Sequence, residues 1–227
     1  MDRIIKGTVA TFIAFFLWGI FPVYWKALHA VSPTQIMAHR VVWSLLFVVL
    51  LLSIQKRWRE AKPVLSFGNA RIFLVTAFLL GANWLVYLWA IDTEQIVEAS
   101  LGYFINPLVN VLLGVVFLRE RLFRWQKVSV ILALIGVFYL TFQYGEVPWI
   151  AFSLALTFGF YGLLRKTGRA ESMIGLVSET AILTPLALIY LISLGMQGHG
   201  AFGSFGLKTD VLLAGAGAVT AVPLLLF

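Results

Sequence analysis

The chain of 227 residues contains no cysteine. Disulfides, thiolate nucleophiles and cysteine-ligated metals are therefore excluded. Charge is scarce as well: charged residues make up 12% of the sequence, against about a quarter in soluble domains. Acids are the scarcer sign, with ten Asp and Glu against 17 Lys and Arg. These carboxylates are too few and too scattered to assign an acid/base pair. The three histidines are also dispersed, and there is no H-E-x-x-H run, so no metal site is expected. A G-x-x-x-x-G-K-S/T loop is missing too, which excludes an ATP-driven pump built from this chain alone. No catalytic residue and no cofactor is assigned, and the chain is not expected to be an enzyme.

What the chain has instead is apolar surface. Hydrophobic residues make up 61% of it, and mean hydropathy is +0.94. A soluble fold could not cover that much apolar area, so the excess must face lipid. Eight apolar segments of spanning length can be drawn, at 7–26, 36–54, 72–91, 97–118, 128–144, 148–164, 173–194 and 210–227. In lipid they must be helices, because each backbone N–H and C=O needs a partner inside its own segment. The fold class is all-α, a polytopic membrane helix bundle. Arg3 and Lys6 before an apolar run resemble the start of a signal peptide. That run is long enough to span and has no small-residue cleavage site after it, so it is read as a retained first helix.

The net charge of +7 points to topology rather than to nucleic acid, because the cations lie in short clusters between apolar runs. With a cytoplasmic N-terminus, one side receives Arg3, Lys6, Lys56, Arg57, Arg59, Lys62, Arg71, Arg119, Arg121, Arg124, Lys127, Arg165, Lys166 and Arg169. The other side receives Lys26 and Lys208, while Arg40 lies within a segment. That asymmetry is a strong positive-inside signal for the eight-segment topology. Trp25, Trp58, Trp89, Trp125 and Trp149 fall near segment ends, as interfacial anchors do. The glycine-rich stretch 195–206 reads as a flexible external loop.

A weak internal repeat runs at an offset of about 140 residues. Trp18-Gly19-Ile20-Phe21 matches Phe158-Gly159-Phe160-Tyr161, and His39-Arg40 matches Ser178-Glu179. Ala82-Asn83-Trp84-Leu85 matches Ala221-Val222-Pro223-Leu224. The first helix then corresponds to the sixth, and an odd offset of five helices inverts the second copy. Residues 1–145 are expected to form the first five-helix repeat, and 146–227 a truncated second repeat of three helices. Two further helices are expected beyond Phe227, eight of about ten being present, so the chain reads as a fragment.

Several runs carry a family resemblance. They are Phe15-Phe16-Leu17-Trp18-Gly19, Phe21-Pro22-Val23-Tyr24-Trp25-Lys26 and Ala38-His39-Arg40-Val41-Val42-Trp43-Ser44. To these are added Asn83-Trp84, Ala99-Ser100-Leu101-Gly102-Tyr103-Phe104-Ile105-Asn106-Pro107-Leu108, Glu120-Arg121-Leu122 and Ala221-Val222-Pro223-Leu224. Together they resemble the RarD-type subgroup of the EamA-like family, within the drug/metabolite transporter superfamily. The resemblance covers essentially the whole chain and is most specific at the first, second and fourth helices. It implies ten helices in two inverted halves, a cytoplasmic N-terminus and a place in the bacterial inner membrane. It also implies export of small metabolites or drugs by exchange or proton coupling.

Polar groups at membrane depth are the candidates for function, since each costs about 2.5–3.5 kcal/mol at a helix centre if charged. Arg40 lies about 6 Å inside the external end of its helix. It either snorkels to that interface or faces a cavity and binds an anionic or polar substrate. His39 beside it is a candidate proton carrier, or it packs. Glu179 suits a group that binds and releases a proton during a transport cycle, or it forms a structural hydrogen bond. Ser178 and Thr180 are expected to bond their own helix backbone. Tyr103, Asn106 and Asn110 share one stripe beside Pro107, and Asn83 and Tyr87 form a similar pair. Each set either lines a cavity or glues helices. Trp18 is a further cavity candidate, and Glu98 reads as an interfacial carboxylate. Gly102, Gly114, Gly136, Gly215 and Gly217 are expected to permit close helix contact.

A secondary transporter with alternating access is the leading reading. An integral membrane enzyme on lipid-linked substrates and a non-transporting scaffold subunit are the alternatives. The expected partners are a small-molecule substrate and the lipid bilayer, with a homodimer as a further option and no nucleic acid.

Overall fold

A computed structural model describes residues 2–59, 70–145, 147–168 and 171–226. Lys62 and Arg169, part of the charge asymmetry above, and the terminal Phe227 lie outside the described residues. All regular structure in the described residues is helical, with no strand among them. Its eight long helices are α1 (Asp2–Lys26), α2 (Pro33–Ile54), α3 (Ala70–Asp92), α4 (Ile96–Leu118), α5 (Arg124–Tyr144), α6 (Trp149–Gly168), α7 (Ser172–Met196) and α8 (Leu207–Leu226). Each contains one of the eight apolar segments, or all but an end residue or two of it. Seven are long and apolar enough to cross a membrane. The exception is α6, whose last turn carries Arg165 and Lys166.

The helices form two compact units. One comprises α1, α2, α3 as far as Phe78, α7 and α8; the other comprises α3 from Leu79 onward, α4, α5 and α6. In the first unit α2 packs against both α7 and α8, and α1 packs against α8. The buried positions of α2 include Ile36, Arg40, Ser44, Val48 and Leu52. That four-residue spacing is one ridge of a helix surface. Its counterpart on α8 is the face Leu213, Ala216, Gly217, Thr220 and Ala221. Gly217 is the contact point, where a Cβ would collide with the Trp43 carbonyl group and the Ser44 nitrogen. Only glycine lets the two backbones come this close.

In the second unit α4 packs along α6, and α5 packs on α4. Leu101, Ile105, Val109 and Leu113 again repeat every four residues, and they bury against Ala151 and Ala155. Gly159 continues that small-residue stripe, since its missing Cβ makes room for Val109 and Leu113. A Cβ on Gly102 would sit 3.1 Å from the Ala151 carbonyl oxygen, so backbone meets backbone here too. Of the five glycines expected at helix contacts, Gly102, Gly215 and Gly217 do serve that purpose, Gly102 and Gly217 against backbone. Gly215 faces the Tyr24 hydroxyl, Gly114 faces the Glu120 carboxylate, and Gly136 has nothing within 4 Å. The apolar span of α5 buries none of its residues among the described residues.

The glycine-rich connection between α7 and α8 has a defined path. Gly203 and Gly206 take φ of 82° and 91°, so they make turns that other residues rarely adopt. The Gln35 side chain donates to the His199 carbonyl at 3.2 Å and accepts from the Ala201 N–H at 2.9 Å. The Phe202 ring stacks with His39 and with Trp43. The sequence expectation of looseness came from counting glycines without the partners that hold them.

Gly217→Ala should force α2 and α8 apart and lower stability by about 1–3 kcal/mol or more, as overpacking does. Gly136→Ala should be neutral or slightly stabilising, because an exposed helical glycine gains from the methyl group. Unfolding midpoints of the two variants in one detergent check the contrast; equal effects would refute the close contact.

Candidate transport site

Arg40 is only 4% exposed. Its Nε donates to Thr220 Oγ1 of α8 at 2.7 Å, and its guanidinium carbon lies 5.0 Å from the centroid of the Trp25 ring of α1. Trp25 is itself buried. The side chain thus turns toward α1 and α8 rather than running out to the surface. A guanidinium suits such a position, since its planar face can lie over an aromatic ring while its edge donates hydrogen bonds. One helical turn on, Ser44 Oγ donates to the Gly217 carbonyl at 3.4 Å, which extends the polar seam between α2 and α8.

His39 points elsewhere, as adjacent helical residues must. It is buried, with its ring 5.7 Å from that of Phe202 and nearly parallel to it. Glu179 has no exposed surface and sits in α7 within a run, Met173 to Thr180, that is buried without a break. Beside it Ser178 Oγ donates to the Ile174 carbonyl at 2.8 Å and Thr180 Oγ1 to the Leu176 carbonyl at 2.6 Å. Both bond their own helix, as expected of hydroxyls in a membrane segment. Trp18 is buried and meets Phe15 edge to face.

The remaining candidates belong to the second unit. Asn83 Nδ2 of α3 donates to the Leu154 carbonyl at 3.0 Å and to Thr157 Oγ1 at 2.9 Å, joining α3 to α6. Tyr103 of α4 meets Tyr87 of α3 edge to face at 6.1 Å. Asn110 Nδ2 donates to Asn106 Oδ1 at 2.6 Å, so this stripe bonds along itself. Asn110 also lines a groove of about 370 Å³ together with Gly159, Gly162, Glu120 and Lys166. At its rim Lys166 Nζ and Glu120 Oε1 form an ion pair at 2.7 Å. The structure therefore separates the candidates into two sets. Arg40, His39, Glu179 and Trp18 lie in one unit; Asn83, Tyr103, Asn106 and Asn110 lie in the other.

Two residues need a correction. Glu98, read from sequence as an interfacial carboxylate, is 5% exposed, and its Oε1 accepts the Ile150 N–H at 2.7 Å. It caps the first turn of α6 from across the helix pair, where an anion is favoured and an N–H lacks an intrahelical partner. Sequence reasoning looks for caps just before a helix, and this one lies 52 residues away. Trp25, read from sequence as an interfacial anchor, is instead 2% exposed and packs against Arg40; Thr220, Gln35 and Phe202 were missed because their contacts are likewise lateral. Arg57 and Glu171 also form an ion pair, with Nη1 to Oε1 at 2.9 Å.

The EamA-like transporter family model matches residues 5–142. The chain belongs to the EamA-like transporter family. Protein RarD of Salmonella typhi is 45% identical to it over 98% of this chain and 76% of that protein. Protein RarD of Escherichia coli (strain K12) is 43% identical over 98% and 75%. The "Uncharacterized transporter YojE" of Bacillus subtilis (strain 168) is 42% identical over the same shares. No solved structure matches. The chain is thus a RarD-type member of the EamA family and a multi-pass bacterial membrane protein. The resemblance seen in the helix motifs was to the right family.

Glu98→Ala should leave the Ile150 N–H without its acceptor and cost about 1–2 kcal/mol, the usual loss on removing a cap. Glu98→Gln keeps an acceptor oxygen and should lose less. Unfolding midpoints measure both, and an unchanged Glu98→Ala protein would refute the cap.

Proposed function

We propose that this EamA family member is a secondary transporter that exports small metabolites or drugs, driven by exchange or by a proton gradient. The observation that carries this reading is Arg40, a buried cation in a membrane helix, held by Thr220 and Trp25. Ionisable residues at such positions mark substrate or ion pathways. In this reading Arg40 recognises an anionic or polar group of the substrate, Glu179 carries the proton, and Trp18 and His39 shape the surroundings. Asn83, Tyr103, Asn106 and Asn110 supply polar contacts from α3 and α4.

Alternating access follows from the inverted repeat, with 1–145 as one half and 146–227 as the beginning of the other. One matched contact supports this. Under the repeat α1 corresponds to α6, α2 to α7 and α3 to α8. The pairing of α1 with α8 then has its mate in the bond from Asn83 of α3 to Thr157 of α6. The pair of α2 and α7 maps onto itself. The charge asymmetry supports a cytoplasmic N-terminus in the bacterial inner membrane.

A thermal-shift screen of the purified protein against metabolites and drugs tests the binding role. A ligand of the folded form raises apparent stability by RT ln(1 + [L]/Kd). The expected shift disappears in Arg40→Ala; should that variant not fold, Arg40→Lys keeps the charge without the planar fork. An undiminished shift in Arg40→Ala would exclude Arg40 from binding, and one in Arg40→Lys would exclude the planar fork as the recognising feature. Topology has its own check: a reporter fused within 55–70 should read cytoplasmic and one within 197–206 external. The same side for both would overturn the orientation.

A further inference from the structure

The link between α4 and α5 and the first turn of α5 carry five charged residues whose arrangement neither the fold nor the transport reading uses. Their single carboxylate, Glu120, pairs with Lys166 of α6 at 2.7 Å and lies over Gly114. The acid is thereby turned away from the cations around it. Arg119, Arg121, Arg124 and Lys127 are all exposed, and among the described residues none of them makes an ion pair. Arg119 closes α4 with φ of 56°. Glycine is the residue that usually takes this left-handed position, so arginine here keeps a cation at the corner at a conformational cost.

Two aromatic side chains stand among these cations. Phe123 is 77% exposed and Trp125 83%. The helix that follows, α5, is an apolar span with no buried residue among those described. An exposed cluster of like charges in water is ordinarily just a solvated face. At the end of a lipid-facing helix, with exposed aromatics that prefer the headgroup level, it lies where phospholipid phosphates are.

We propose that the α4–α5 corner is a binding site for anionic phospholipid headgroups, with Arg121, Arg124 and Lys127 as the principal contacts. Phe123 and Trp125 enter the interfacial layer beside them. The bound lipid compensates cations that Glu120 does not reach, and it anchors α5, which has little protein to lean on. A basic segment beside a membrane gains about 1 kcal/mol per Lys or Arg from anionic lipid, which is about a fivefold change in affinity for each cation. A soluble acidic partner is less suitable, because it offers nothing to the aromatic pair.

The test is the unfolding midpoint of the detergent-purified full chain, titrated with phosphatidylglycerol, with phosphatidylcholine, and with inorganic phosphate. Phosphatidylglycerol should raise the midpoint, and the other two should not. In the triple variant Arg121→Gln, Arg124→Gln, Lys127→Gln the apparent affinity should fall about a hundredfold. Equal shifts with phosphatidylcholine would overturn the proposal, as would inorganic phosphate reproducing the effect. So would an equal loss in Lys6→Gln, Lys56→Gln, Arg59→Gln, which removes as many cations from elsewhere. Should the first triple variant not fold, salt dependence decides. A phosphatidylglycerol shift of the unaltered chain must shrink strongly between low salt and 1 M, where the screening length falls to about 3 Å; a salt-independent shift would sink the idea.

Discussion

In the hydrocarbon core no water is present to complete a hydrogen bond, and the rest of this structure answers to that condition. It makes the described chain helical wherever it is apolar for a spanning length. It also removes much of the hydrophobic drive for helices to associate, since lipid is as apolar as leucine. Association must then come from close packing and from polar contacts. Two contacts of backbone on backbone are of the first kind. Gly217 admits the backbone of α2 and Gly102 admits that of α6, each within its own unit.

The same condition sorts the polar side chains by reach. Several short hydroxyls satisfy themselves on the preceding turn, as Ser178, Thr180 and Thr184 do, whereas Ser44 crosses to α8 where Gly217 brings the backbones together. The self-bonded ones are neutral passengers, and they reveal little about function. Longer groups can cross to another helix, and those that do join specific pairs. Asn83 reaches α6, Glu98 reaches the start of α6, and Arg40 reaches α8. Such bonds are individually modest, about 0.6 kcal/mol on average in a membrane protein. Their value lies in setting which helix faces meet, because an alternative pairing would leave a buried donor or acceptor unmatched.

This also explains what could be read from the sequence. The eight segments emerged because length and hydropathy are properties of single stretches. So were the back-bonded hydroxyls. Lateral contacts were not legible. Glu98 looks like an interfacial carboxylate until α6 is brought against α4, and the 197–206 loop looks loose until Gln35 and Phe202 are placed beside it. The glycines make the point most directly. Gly102, Gly136 and Gly217 have similar apolar contexts in sequence, yet two meet a neighbouring backbone and one meets nothing. Family motifs succeeded because they encode several such lateral contacts at once, although they do not say which contact each residue makes.

Arg40 shows how the packing constraint and the functional one meet. Its position is defined on two sides by groups that recognise shape as well as charge: the Thr220 hydroxyl takes a directed donor, and the Trp25 ring takes a flat cation. Lysine could satisfy the ring but has no second, fixed donor edge for the hydroxyl. The pocket that holds Arg40 is assembled from α1, α2 and α8, and α2 and α8 are locked at Gly217, one turn from Thr220. Any motion of α8 against α2 must therefore disturb the guanidinium contact together with the backbone contact. In the proposed reading, a binding event that moved Arg40 would act on the helix packing directly, without a longer chain of intermediates.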